Sequence, residues 1–111
     1  MSRPDPDLAG TPTRAEVDAM AGPVLLEFGA TWCGHCRQLA PQLAKALEAH
    51  PDVRHIKVED GPGRPLGRSF RVTLWPTLVF LRDGMVVRQV ARPSRPEVVA
   101  GLGEIDGSAD S

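Results

Sequence analysis

Apolar side chains recur every fourth residue at Leu39, Leu43 and Leu47, whereas Val24-Leu-Leu-Glu-Phe28 is apolar at all but one of its positions. The first spacing draws a single apolar stripe along a helix, predicted from Cys33 to about Ala49, with Arg37, Gln38, Gln42, Lys45 and Glu48 as polar positions. Pro41 lies inside it; lacking an N–H and crowding the preceding turn, it is expected to kink the helix. The second run follows a Gly22-Pro23 break, is too short for a helix and reads as a strand buried on both faces. Thr13 with Glu16, and Ser94 with Glu97, have capping-box spacing and predict helices over about 13–20 and 94–105. Val53 to Glu59 reads as a second strand, and Leu66 to Phe70 as one or two helical turns. Thr77–Leu81 and Met85–Val90 flank Arg82-Asp83-Gly84, and Asp-Gly between two β-rich runs signals a hairpin. Helix, strand, helix, strand, hairpin, helix is the order of an α/β domain whose central mixed sheet is covered by helices on both faces. Residues 1–10, with Pro4, Pro6 and Gly10, read as a flexible lead-in, 11–105 as the domain and 106–111 as a flexible tail.

The totals exclude several classes of function. At 111 residues the chain has the size of one domain, and 41% hydrophobic with 24% charged residues is ordinary for a folded soluble protein. A net charge of −1 leaves no electrostatic footprint for nucleic acid or an anionic membrane. No apolar run approaches the length of a membrane span, and no basic start followed by an apolar stretch marks a secretory leader. A cytoplasmic monomer is the expectation.

The chain has two cysteines, Cys33 and Cys36. A bridge between them would close almost no loop, so a reactive or metal-binding role fits better than a structural one. Zinc takes four ligands, or three and an open position. Only His35 is close by, while His50 and His55 lie far along the chain and read as surface residues; no metal and no cofactor are expected. Disulfide exchange, by contrast, needs a thiolate attacker and a second thiol within reach to resolve the mixed disulfide. A spacing of three puts both on one helix face. Cys33, at the helix start, would point outward among unpaired N–H groups at the positive end of the dipole, with Cys36 shielded one turn in. The dipole contributes about 0.3–1 kcal/mol against about 1.4 kcal/mol per pKa unit, so a further donor or cation is required, and His35 is the candidate.

Val24-Leu-Leu-Glu-Phe-Gly-Ala-Thr-Trp-Cys-Gly-His-Cys36, Pro41 in the following helix, Trp75-Pro76-Thr77 and Asp83-Gly84 together resemble the thioredoxin superfamily over residues 13–105, in the right order. The Gly34-His35 pair resembles protein disulfide isomerase domains, where ordinary thioredoxins usually have Gly-Pro. The resemblance implies a thioredoxin-like fold and a thiol–disulfide oxidoreductase acting on protein disulfides or dithiols, with a reductase as electron donor. It makes Cys33 the nucleophile and Cys36 the resolving thiol. It matches Glu27 to the family's buried acid, which shuttles the proton of Cys36, and Lys57 to the lysine near that acid. Pro76 would be cis, and Trp32, Gly34, His35, Trp75, Pro76 and Thr77 would form the substrate face, the backbone of Trp75 pairing with an extended segment. Gly29 stands where thioredoxins often have Trp, and Trp75 is bulkier than the usual residue before that proline. Ala91-Arg92 falls where many members have a glycine. Two alternatives stay open: an oxidant or isomerase, suggested by His35, and a binding or assembly factor that holds a client on the same scaffold without turnover.

Overall fold

Both capping boxes close. The Thr13 hydroxyl accepts from the Glu16 N–H at 3.1 Å, and the Glu16 carboxylate accepts from the Thr13 N–H at 2.8 Å. Ser94 and Glu97 do the same at 3.3 and 2.7 Å. The computed structural model describes residues 11–30 and 33–106. Along them run α1 (Arg14–Asp18), β1 (Pro23–Gly29), α2 (Gly34–Glu48), β2 (Arg54–Glu59), α3 (Pro65–Ser69), β3 (Thr77–Arg82), β4 (Met85–Ala91) and α4 (Arg95–Ile105). The expected lead-in, Trp32 and the tail beyond Asp106 lie outside the described residues. Pro41 removes one donor from α2, yet the helix runs unbroken through it.

Chain order and sheet order differ: the described strands lie β2-β1-β3-β4. β1 pairs parallel with β2 and antiparallel with β3, and β3 continues antiparallel into β4, so the sheet is mixed with β1 at its centre. Asp83 and Gly84 close the hairpin with both residues left-handed, at φ 53° and 79°, as a two-residue turn matched to strand twist requires. Gly84 is required twice over, since a Cβ there would also lie 2.0 Å from the Asp18 carbonyl oxygen.

Alternation along β1 splits the core into two layers. Val24, Leu26 and Phe28 pack with Val17 of α1, Leu66 of α3 and Phe70. Leu25 faces the other way, onto Leu39 and Leu43 of α2 and Val98, Leu102 and Ile105 of α4. Fully burying such a side chain contributes roughly 1.5–3 kcal/mol, and Phe28, Leu25, Leu43 and Leu102 all reach that limit. Helices on both faces are thereby held to the sheet, and the start of α2 is held beside the end of β1. The same alternation sends Glu27 to the α2 side, two residues past Leu25. His50, expected at the surface, is instead mostly covered: its Nδ1 lies 2.5 Å from Asp106 Oδ2, tying the end of α2 to the end of α4. No helix among the described residues is long and apolar enough to cross a membrane.

Candidate active site

The chain leaves β1 at Gly29 and enters α2 at Gly34, and Cys33 is the residue that caps that helix. Its backbone is extended (φ −80°, ψ 120°), and its Sγ accepts from the Cys36 N–H at 3.3 Å. Cap positions favour Ser, Thr, Asp or Asn because their oxygen accepts from an otherwise orphaned N–H. A thiolate meets the same need with a full negative charge. Burial pushes the Cys33 pKa up, but hydrogen bonds from the Cys36 thiol and from the Cys36 and His35 N–H groups, with the charge of Arg92, bring it below the ordinary 9.0. Cys36 moves the other way, to about 11, through burial first, then its own donation to Cys33 and the negative charges of Cys33 and Glu27, against one backbone hydrogen bond at Ala30.

The two sulfurs are unbridged, and each residue is 7% exposed. Exposure therefore does not separate them, and Cys33 is less outward than its place at the helix start suggests. Burial raises both; Cys33 is brought back down by the donors around it and by Arg92, while Cys36, donating to Cys33, stays up. His35 contributes through its backbone, its side chain being exposed; the cation expected of it is supplied by Arg92. Gly29 leaves Cys36 its room, since a Cβ there would lie 2.6 Å from the Cys36 sulfur.

Glu27 is 3% exposed, a depth at which an unpaired carboxylate is strongly disfavoured. Its Oε1 lies 2.8 Å from Nε2 of His55, whose side chain is 31% exposed and so connects the acid to solvent. Lys57, the expected neighbour, is in register with Glu27 across the parallel β1–β2 pair, but its side chain is exposed and the carboxylate's bond goes to His55. Two residues apart on one strand, His55 and Lys57 share a face. The imidazole lies along the strand against the acid, while a strongly hydrated ammonium on a long stem keeps its water.

The loop before β3 forms the opposite wall. The Trp75–Pro76 peptide bond is cis. Trp75 packs on Ala30, Cys33 and Cys36, and its indole N–H donates to Asp60 Oδ2 at 2.9 Å. Cys33, Gly34, His35, Leu74, Trp75 and Arg92 are among the residues around a cavity of about 360 Å³. His35, Pro76 and Arg92 also border a second one, of about 130 Å³. Thr77, expected on the substrate face, reaches neither: it is 2% exposed and its hydroxyl donates to the Leu74 carbonyl at 2.6 Å. It closes the turn instead. Arg92 sits at φ 49°, donating from its backbone to the Pro76 carbonyl at 2.7 Å and from Nε to the Trp75 carbonyl at 3.0 Å. A larger cavity, about 550 Å³, lies by Thr13, Val58 and Leu66 and contains none of these groups.

His55 and Arg92 are the two site residues that sequence reasoning missed. His55 precedes Lys57 by two, so period-two alternation put it on the acid's face; only the β1–β2 register shows how near. For Arg92 the one signal was a bulky residue in a segment where the superfamily favours glycine.

The family model described as Thioredoxin matches residues 9–101. A solved structure of thioredoxin 2 from Pseudomonas aeruginosa PAO1, in its reduced form, superimposes with a TM-score of 0.78 and 52% identity, covering 88% of this chain and 92% of that one. Protein disulfide-isomerase A2 of Pongo abelii is 42% identical over 91 residues, 78% of this chain, and the chain spans 16% of that protein. Mitochondrial thioredoxin-3 of Saccharomyces cerevisiae is 29% identical over 82 residues, 74% of this chain and 65% of the relative.

Proposed function

The chain belongs to the thioredoxin family, and we propose that it works as a thiol–disulfide oxidoreductase, passing electrons between Cys33–Cys36 and protein disulfides. The observation that carries this reading is the pair of sulfurs one helical turn apart, Cys33 capping α2 and accepting from the Cys36 N–H at 3.3 Å, an arrangement that holds Cys33 below its ordinary value while burial raises Cys36 to about 11. Of such a pair, Cys33 gives up its proton first. Cys33 is then the attacker, and Cys36 stays an S–H donor that does not compete with it.

The Cys33 thiolate attacks one sulfur of the substrate disulfide; that S–S bond breaks as the Cys33–substrate bond forms, and the departing thiolate takes a proton from solvent. Cys36 must next lose its own proton. Glu27 is the base on its side of the sheet, and His55 links that carboxylate to solvent. The Cys36 thiolate then attacks the Cys33 sulfur; the Cys33–substrate bond breaks as the Cys33–Cys36 bond forms, and the second substrate sulfur leaves as a thiolate that takes up a proton. Two electrons have passed to the substrate, and Cys33–Cys36 is a disulfide that a reductase partner in a reducing cytosol returns to the dithiol. The sulfurs carry the electrons, so the cycle needs no cofactor. An extended substrate segment lies along Trp75 and Pro76 with Gly34 and His35 on its other side, sharing the Trp75 carbonyl with Arg92.

Turnover of an insulin-type disulfide substrate tests the reading, together with a Cys36→Ser protein, which is expected to trap its substrate covalently through Cys33. Absence of both turnover and adduct rejects it. A second reading, an oxidant or isomerase, is favoured by Gly34-His35 between the cysteines and by the likeness to the isomerase segment. A stabilised Cys33 thiolate favours the dithiol and makes the disulfide a stronger oxidant; a potential near about −270 mV against glutathione supports the reductase, one near about −180 mV the isomerase.

A further inference from the structure

The cavity at Cys33 does not end at Trp75. Thr73 borders it and also borders a second hollow, of about 400 Å³, whose lining includes Asp60, Arg64, Arg68 and Arg71. The two hollows thus meet at Thr73 as one trough that starts at the reactive sulfur and Arg92 and runs to the end of α3. Away from the trough three arginines pair with a carboxylate, Arg14 with Asp18 at 2.9 Å, Arg82 with Asp83 at 3.8 Å and Arg88 with Glu104 at 2.7 Å, while the exposed Arg37, Arg54 and Arg95 stand apart on other faces. Among the described residues Arg68, Arg71 and Arg92 have no carboxylate partner, and all three are exposed. The carboxylate that faces them, Asp60, has Oδ2 committed to the Trp75 indole. With Arg64, four guanidinium groups thus border the two hollows against one carboxylate, in a chain whose net charge is −1.

Backbone conformation gives an independent sign. Arg71 and Arg92 have φ 58° and 49°, a left-handed region in which glycine is unstrained and any other residue is not. Arg71 follows the C-cap Phe70 of α3, the place where helices end most easily on glycine. Strain kept at two positions flanking one site points to a use for their side chains. Arg92 is also pre-aimed. Its Nε is anchored on the Trp75 carbonyl at 3.0 Å, which fixes the planar fork and leaves its terminal nitrogens for a bidentate acceptor.

We propose that this trough selects its substrates by charge, binding a polypeptide that carries Asp or Glu side chains beside its disulfide and pairing them with Arg92 near the sulfur and with Arg71 and Arg68 further along. The inference rests on the oxidoreductase reading above and adds the chemistry of the substrate to it. Exchange should then be fastest with acidic segments and should lose that preference as salt screens the arginines, the screening length falling from about 10 Å at 0.1 M to about 3 Å at 1 M.

The test is single-turnover reaction of the fully reduced protein with three disulfide peptides of equal length whose flanking residues are acidic, neutral or basic. At low ionic strength the acidic peptide is expected to react at least tenfold faster than the basic one, with the ratio collapsing in high salt. An Arg68→Gln/Arg71→Gly protein is expected to lose most of that ratio; glycine adopts the positive φ freely, so the backbone at residue 71 is relieved rather than strained. Equal rates for the three peptides at low salt, or an undiminished ratio in the double variant, overturn the inference while leaving the oxidoreductase reading intact. Failure to react with any of the three overturns both.

Discussion

The most exacting consequence of the site is that the reduced protein should titrate its two thiols separately and that each should leave an opposite mark on stability. Cys33 is depressed below 9.0 in the folded chain. Between its folded value and 9.0 the unfolded chain therefore binds the extra proton, and stability rises with pH through that window. Cys36 is raised to about 11. Between 9.0 and 11 the folded chain keeps a proton that the unfolded chain has lost, so stability falls as pH rises. Two units correspond to about 3 kcal/mol as an upper bound, trimmed by the solvent that reaches the site's mouth. The reduced protein should thus be most stable, as far as these groups decide, near pH 9. The composition makes the experiment unusually clean: the chain has no tyrosine and two lysines, Lys45 and Lys57, both exposed. Thiolate ultraviolet absorbance is therefore free of tyrosinate, and it is expected to rise in two steps, which belong to the coupled pair until a variant assigns them. Cys36→Ser should remove the upper step, and urea unfolding of that variant should lack the loss of stability between about pH 9 and 11. A single step near 9, or a stability loss that persists in Cys36→Ser, would refute the assignment of roles to the two sulfurs.

Arg92→Gln removes the cation beside Cys33, so alkylation of Cys33 near neutral pH should slow and recover at alkaline pH; an unshifted pH profile would exclude Arg92 from the thiolate's stabilisation. Glu27→Gln keeps the shape and removes the base: resolution of a Cys33 mixed disulfide by Cys36 is expected to fall by about a hundredfold or more, as general-base losses do. His55→Gln should reproduce a weaker form of that defect, seen as a changed pH dependence of the resolving step. Gly101→Ala tests the packing under the site, because a Cβ there would come 2.5 Å from the Phe80 ring. Overpacking of about 1–3 kcal/mol should outweigh the roughly 1 kcal/mol gained in helix propensity, and a raised urea midpoint would contradict that balance.

What could be read from the chain and what could not divide along a physical line. The capping pairs Thr13/Glu16 and Ser94/Glu97 and the Asp83-Gly84 turn are decided within a few residues, so the elements they start or join are legible. The cysteine pair is legible for the same reason, since a spacing of three on a helix fixes its geometry. Glu27 is legible one level higher, as the one acid in the apolar run Val24–Phe28 and through the resemblance to the superfamily. Beyond that, the information is not local. His55 and Lys57 have the same parity on β2, so no pattern in the chain chooses between them; the register sets Lys57 opposite Glu27, and the bond goes to His55 because the imidazole gives up water more readily than the ammonium. Arg68, Arg71 and Arg92 are separated by up to 24 positions and meet only because α3, the cis Trp75–Pro76 turn and the end of β4 converge on Cys33. Net charge is a sum and substrate recognition depends on a distribution, so a chain at −1 can still present an arginine-lined approach to its reactive sulfur. The near-neutral total was the ground for expecting neither nucleic acid nor membrane as a partner. It carried no weight against a preference for acidic polypeptides, because that preference needs only three guanidinium groups left unpaired in the right place.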